Sequence, residues 1–323
     1  MTEEQASTRA GFVALIGEPN AGKSTLLNAM VGAKVAIVTH KVQTTRARIR
    51  GVAMGMAGGG TDPDTDDLVG GQRAQIVFVD TPGLFRPKRR LDRAMVAAAW
   101  SGVDDADVIC LMVEAHRGLT EGVEAIFQTL EERARGRKIA LVINKIDRIK
   151  AEHLLALTKK LNERSEFSST FMISAEKGHG VETLREWLSG EMPEGPFLYP
   201  EDEISDLPLR QIAAEITREK LTLRLHQELP YQLTVETENW KDLKDGSARI
   251  EQIIYVMRDG HKGIVLGNKG ETIKAVGAES RREIIELLGR NAHLFLEVKT
   301  RPGWLEERER FDAIGLDFND GGS

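Results

Sequence analysis

The sequence predicts a mostly parallel α/β sheet with helices on both faces, followed by a smaller α+β domain. Three observations lead there. Between residues 11 and 190, short β-rich runs alternate with helical stretches, the pattern of a parallel sheet with crossover helices. Residues 17–24 read Gly-Glu-Pro-Asn-Ala-Gly-Lys-Ser, a complete G-x-x-x-x-G-K-S loop between an apolar run and a helical one. Residues 190–208 (GEMPEGPFLYPEDEISDLP) hold four prolines and six acids, a connector composition that separates two regions of different element order.

In the first region the spacing predicts strands over Phe12–Ile16, Ala47–Val52, Ala74–Val79, Val108–Val113, Ile139–Ile143 and Ser169–Ile173. Helices are predicted near 23–31, 90–101, 119–135, 151–163 and 181–189. Residues 54–73 (MGMAGGGTDPDTDDLVGGQR) are Gly-rich and acidic without periodicity; they read as a long hairpin loop. In the second region the order is a helix near 208–227, strands near 231–238 and 248–258, a helix near 271–288 and a strand near 292–299, read as antiparallel strands with segregated helices. The domain boundaries expected are a flexible N-terminus to residue 10, a first domain over 11–190, a connector over 191–208 and a second domain over 209–303. An acidic tail over 304–323 carries six acids against two arginines and is expected to end in disorder.

Bulk properties narrow the class. Hydrophobic content is 41% and charged content 29%, as in ordinary globular proteins. No run approaches the ~20 apolar residues of a membrane span. The first eleven residues are polar, so no secretory leader is expected and the cytoplasm is the expected compartment. The single cysteine, Cys110, sits inside an apolar run; it excludes a disulfide frame and a cysteine-based zinc site. The formal net charge of −6 means that any nucleic-acid contact must be local.

The loop at 17–24 is a phosphate cradle. Gly17 and Gly22 let backbone N–H groups turn inward onto phosphate oxygens, and the following helix adds its N-terminal dipole. Glu18, Pro19, Asn20, Ala21 and Thr25 complete the stretch expected to wrap a nucleoside triphosphate. Lys23 is placed to reach the β- and γ-phosphates and the Ser24 hydroxyl to bind Mg²⁺. Asp80-Thr81-Pro82-Gly83 follows a strand, where a carboxylate holds Mg²⁺ directly or through water, and the Gly83 N–H can sense a γ-phosphate. Gln43-Thr44-Thr45-Arg46 offers a hydroxyl to complete the metal shell, with Thr45 preferred and Thr44 beside it. Its release on hydrolysis would free the loop.

The base is chosen by Asn144-Lys145-Ile146-Asp147. The Asp147 carboxylate can accept from N1–H and the 2-amino group of guanine, and adenine offers neither donor there. Asn144 would tie this loop to the phosphate loop, and the Lys145 stem would cover the base. In Ser174-Ala175 the Ala175 N–H is placed to donate to guanine O6. The ligands are thus GTP and GDP with Mg²⁺. A small-molecule kinase or ATPase on the same scaffold is disfavoured by Asn144 and Asp147. Leu84 follows the D-T-P-G run where related GTPases orient the attacking water with a glutamine, and an alkyl chain cannot do this. Hydrolysis is therefore expected to be slow alone. That residue also keeps open a scaffold role in which GTP is mainly a structural ligand. Arg46, Arg86 and Arg89 lie near the switch loops without a nameable role.

In the second domain Gly267-Asn268-Lys269-Gly270 precedes a helix. A G-x-x-G loop is the clamp that KH domains close on single-stranded RNA. Residues 258–282 hold six Lys/Arg, among them Lys262, Lys269, Lys274 and Arg281, against three acids. Positive charge is therefore concentrated beside the loop in an acidic chain. Ile264, Ile273 and Val276 are candidates to line a groove for bases.

GEPNAGKS, QTTR, DTPGL, NKID and SAEKG, followed by a connector and ELPY with VLGNKGETIKAVG, together resemble the Era family of bacterial GTPases. The resemblance spans about residues 11 to 305. It implies a P-loop GTPase domain of the TRAFAC class and a type II KH domain. It implies binding near the 3′ end of 16S ribosomal RNA in 30S subunit maturation, with no DNA partner, as a monomer. It also implies a cytoplasmic protein in loose contact with the inner membrane face. Leu84 matches the family's apolar replacement of the glutamine. Asn20 stands where related GTPases coordinate K⁺, which makes K⁺ assistance a hypothesis. Residues 54–73 are longer than the family pattern leads one to expect.

Overall fold

In a computed structural model the described residues are 8–39, 41, 49–58, 60–61, 68–69, 71–84, 87, 90–134, 136–226, 229–303 and 307–308. Thr44 and Thr45, the expected metal ligands, and Arg46, Arg86 and Arg89 lie outside them. So do Gln43 and the end of the acidic tail.

The chain divides into two compact units, with a break at Asp206/Leu207. The first contains β1 (Arg9–Gly17), α1 (Lys23–Val31), β2 (Ile49–Ala57), β3 (Gly60–Thr61), β4 (Leu68–Val69) and β5 (Gln72–Asp80). It continues with α2 (Arg90–Asp104), β6 (Val108–Glu114), α3 (Glu121–Arg133), β7 (Lys138–Asn144), α4 (Ala151–Arg164), β8 (Ser169–Met172) and α5 (Val181–Glu191). The six-stranded sheet runs β2-β5-β1-β6-β7-β8. All neighbours pair in parallel except β2, which is antiparallel to β5.

Strand β6 (VICLMVE) is buried at all seven positions. A central strand covered on both faces reads as one apolar run. Its Ile109, Leu111 and Val113 pack with Phe127 and Leu130 of α3 and Leu161 of α4. Cys110 is fully buried, and burial pushes its thiol up to about 12; it is a small apolar side chain in practice.

Strand β2 runs to Ala57, five residues past the end that the sequence predicts. The Gly-rich stretch hides it because glycine is where a helix comes close: a Cβ at Gly55 would lie 2.2 Å from Ser189 Oγ of α5. The Pro- and acid-rich stretch also has a fixed course. Val52 N–H donates to Ile204 O (3.0 Å), Ser205 Oγ donates to Arg50 O (2.9 Å), and Gln75 Oε1 accepts from Leu198 N–H (2.8 Å) and Tyr199 N–H (3.0 Å). These residues cover the exposed edge of β2.

The second unit holds α6 (Leu209–Arg224), β9 (Leu233–Asp242), β10 (Ala248–Val256), α7 (Asp259–Leu266), α8 (Glu271–Leu288) and β11 (Ala292–Thr300). Its sheet runs β11-β10-β9. It is mixed, not antiparallel throughout: β9 is antiparallel to β10, but β11 is parallel to it. A parallel neighbour needs a crossover, and α7 and α8 supply it. Helix α7 is the element that periodicity does not announce. Its sequence DGHKGIVL carries two glycines, and its helical state follows from burial of Val265 against Leu221, Ile254 and Val298, a case of packing overriding propensity. Val276, a groove candidate, is also in this core. Residues 36–39 cluster with this unit, where Val38 N–H donates to Glu219 Oε1 at 2.8 Å.

Candidate functional site

The described polar motifs of the first unit leave the carboxyl ends of its parallel strands, where open α/β sheets bind ligands. The loop after β1 carries the phosphate motif. Gly22 is left-handed (φ 97°), and a Cβ there would sit 2.2 Å from Asn144 Nδ2. Only glycine fits, because Asn144 reaches across to donate to Ala21 O at 2.9 Å. Asn20 is also left-handed (φ 68°). Lys23 is buried, and its Nζ donates to the carbonyls of Gly17 and Glu18 at 3.1 Å each. Burial pushes the Lys23 ammonium down to about 8, with Asp80 and Glu18 opposing the shift. The two carboxylates do not fully offset the burial, so an added anion would stabilise the charged form further.

Ser24 Oγ donates to Asp80 Oδ2 at 2.7 Å. A hydroxyl and a buried carboxylate side by side are hard oxygen donors, the set that suits Mg²⁺ completed by phosphate and water. Among the described residues no group of three His, Cys, Asp or Glu could hold a metal alone. Thr81 is not aimed at this point: its Oγ1 donates to Leu15 O at 2.7 Å and anchors the loop. Gly83 and Pro82 carry the chain past Pro19. The Leu84 N–H donates to Gly17 O at 3.0 Å, while the Leu84 side chain is buried in the core with Ile16 and Val113. Leu84 therefore meets the loop through its backbone, and its side chain is taken up by the core.

Asn144 is the hub of the base loop. Besides Ala21, its Oδ1 accepts the N–H groups of Lys145 (2.8 Å) and Ala175 (3.0 Å). The Ala175 N–H expected to meet guanine O6 is thus directed at Asn144 in this structure. Asp147 Oδ1 accepts from Ser174 Oγ at 2.6 Å. That hydrogen bond is the main cause holding the Asp147 carboxyl below the usual carboxylate range. It keeps the group ionised and acceptor-only, the state that recognises two N–H donors. Lys145, left-handed at φ 63°, places its Nζ 3.2 Å from Glu114 Oε1. Sequence reasoning missed Glu114; its only signal is an acid ending an otherwise apolar strand.

In the second unit, Gly267 (φ 73°), Lys269 (φ 49°) and Gly270 (φ 79°) turn the chain from α7 into α8. Beside the turn is an open groove of about 360 Å³ lined by Ile273, Lys274, Gly277, Ala278, Arg281, Leu294 and Leu296. Asn268, Lys269, Lys274 and Arg281 are exposed, and Lys262 is half-buried. Neighbouring cations are neutralised: Arg224 pairs with Glu279 and Lys220 with Glu283. Lys262, Lys269, Lys274 and Arg281 have no ion-pair partner among the described residues. An apolar floor with unneutralised cations on its rim suits stacked bases and a phosphate backbone.

Comparison with known proteins agrees with both halves. Residues 12–145 match the family model described as 50S ribosome-binding GTPase, and residues 228–305 match the KH domain model. GTPase Era of Dinoroseobacter shibae is 70% identical over 322 residues, covering 99% of each chain. GTPase Era of Afipia carboxidovorans is 57% identical over 98% of each. Two solved structures align with a TM-score of 0.85 and 36% identity, covering 95% of this chain and 99% of theirs. One is Era in complex with MgGDPNP and nucleotides 1506–1542 of 16S ribosomal RNA; the other is an Aquifex aeolicus Era variant bound to GDP·AlF₄⁻. On this near-complete coverage the chain belongs to the Era family of GTPases, enzymes that hydrolyse GTP.

Proposed function

We propose that this GTPase is a nucleotide-gated RNA-binding switch that grips the 3′ region of 16S ribosomal RNA through its KH groove and acts in 30S subunit assembly. The observation that carries the RNA reading is the apolar groove beside Gly267–Gly270, rimmed by cations that no carboxylate of the described residues neutralises. Support for the RNA's identity comes from the relative solved with a 16S fragment and a Mg²⁺-bound GTP analogue.

In this reading the phosphates lie on the 17–25 loop, with Lys23 and backbone N–H groups neutralising charge as it develops. Ser24 and Asp80 hold Mg²⁺, joined by Thr45 from the switch loop. The Gly83 N–H senses the γ-phosphate, and Asn144, Lys145, Asp147, Ser174 and Ala175 hold guanine. The protein's part is positioning and electrostatics, with no covalent intermediate. Because the Leu84 side chain is in the core, water must be oriented by backbone, by a cation or by a partner. Asn20 as a K⁺ ligand is one such route, and equal turnover in Na⁺ and K⁺ would remove it. We infer a cytoplasmic monomer from the family resemblance. Peripheral contact with the inner membrane rests on the family resemblance; no described helix is long and apolar enough to cross a membrane.

The test is binding of a 3′-terminal 16S RNA fragment to the full chain, with GTP analogue and with GDP. Replacing Gly267 and Gly270 by Asp should abolish binding in both states without changing GTP turnover in the absence of RNA. Binding that survives both substitutions would sink the groove assignment. Equal RNA affinity in the two nucleotide states would sink the gate.

A further inference from the structure

We propose that the segment from the last residue of β6 to the N-cap of α3, residues 114–120, braces both halves of the nucleotide site and sets the rate of GDP release. At one end a single oxygen of Glu114, whose side chain is 10% exposed, lies 3.2 Å from Lys145 Nζ and 2.8 Å from His116 Nε2. The adjacent Ala115 N–H donates to Asn144 O at 2.8 Å. The base loop is thus held by a side-chain contact and a backbone contact from neighbouring residues.

At the other end Thr120 has two partners. Its Oγ1 accepts the Val123 N–H (3.1 Å) as the N-cap of α3 and donates to Glu18 Oε2 at 2.8 Å. Arg117 approaches the same Glu18 oxygen at 3.8 Å. Glu18 belongs to the phosphate loop, and its carbonyl accepts from both Lys23 Nζ (3.1 Å) and Ala21 N–H (3.2 Å). One short segment therefore grips the lysine of the base loop and the second residue of the phosphate loop. A bound nucleotide spans these two loops, and release requires that they loosen together. Interactions that fix both loops through one segment hold the closed arrangement and slow release. Glu114, Thr120 and Glu18 are positioning residues; none needs to touch the nucleotide through its carboxylate or hydroxyl.

The experiment measures release of a fluorescent GDP analogue from the full chain by stopped flow, with thermal melting as the control for folding. Thr120→Asp keeps an N-cap acceptor but sets a carboxylate against Glu18. Glu114→Ala removes the Lys145 contact. Each should speed release by about fivefold to tenfold, the scale of one ordinary hydrogen bond at a partly exposed site. Adding Glu18→Gln to Thr120→Asp restores a donor–acceptor pair and should return release to within about twofold of the parent. Glu114→Ala combined with Lys145→Ala should release no faster than Lys145→Ala alone, since the two share one interaction. Gly122→Ala is the variant least able to misfold, because alanine favours the helix. Its Cβ would fall 2.1 Å from Glu18 Oε1, so it should displace that carboxylate and speed release with an unchanged or higher melting temperature. Release within twofold of the parent in both Glu114→Ala and Gly122→Ala would overturn the proposal. So would failure of Glu18→Gln to rescue a folded Thr120→Asp.

Discussion

The burial of Lys23 makes nucleotide affinity depend on pH. Burial pushes its ammonium down to about 8. The phosphates of a bound nucleotide add negative charge to that of Asp80 and Glu18 and draw the group back toward or above its ordinary value. The nucleotide therefore binds the protonated form. Affinity should be fully present below pH 8 and lost as pH rises through 8. The protonated fraction falls from about nine-tenths at pH 7 to about one-tenth at pH 9, a roughly tenfold loss of GDP affinity, or about 1.4 kcal/mol. At pH 8 binding should draw about half a proton from solution. Titration calorimetry in buffers of different ionisation enthalpy reads both quantities. Lys23→Arg is the control: its guanidinium stays charged throughout, and guanine's own titration is common to both proteins. A parent whose affinity changes less than twofold between pH 7 and 9, or an Arg variant with the same slope, would refute the reasoning. Stability of the nucleotide-free protein should move the other way. The unfolded chain binds the Lys23 proton up to about 10.5 and the folded one only to about 8, so this group's contribution rises with pH across that window.

Other perturbations follow from the same geometry. Asp147→Asn replaces an acceptor by a group that also donates, and should weaken GTP binding by at least about a hundredfold while favouring a xanthine nucleotide; competition against labelled GDP decides it. Lys274→Glu and Arg281→Glu should each weaken RNA binding across sequences and lower the salt slope of log K by about 1, with GTP turnover in the absence of RNA unchanged. Phe127→Ala removes a side chain only 1% exposed, in contact with Phe167 (6.0 Å between centroids) and covered by Arg164 (5.3 Å). It should cost about 3–5 kcal/mol in denaturant unfolding.

The first unit was legible because its strands are nearly continuous apolar runs, as in β6, and its motifs begin where those runs stop. Three features were hidden. The end of β2 looks like loop because Gly55 carries no side chain where α5 packs. The Pro- and acid-rich stretch reads as a bare connector, but the backbone of Arg50 and Val52 binds it to the edge strand β2 and Gln75 binds it to β5. Helix α7 is invisible to propensity because its two glycines oppose it and only burial of Val265 holds it.

By itself the sequence determined which groups are available: a phosphate loop, a guanine-type base loop, a G-x-x-G clamp and an alkyl residue in place of a water-orienting glutamine. These are local patterns, written in residues a few positions apart. Tertiary structure decided what each group faces. It put Leu84 into the core, formed the tie from Asn144 to the phosphate loop that the motif predicts, and buried Lys23 deeply enough to shift its titration. It also brought Glu114 to Lys145 and Thr120 to Glu18. The physical reason is that such pairings join residues 31 to 123 positions apart in the chain, and only the order of strands in the sheet sets which loops become neighbours.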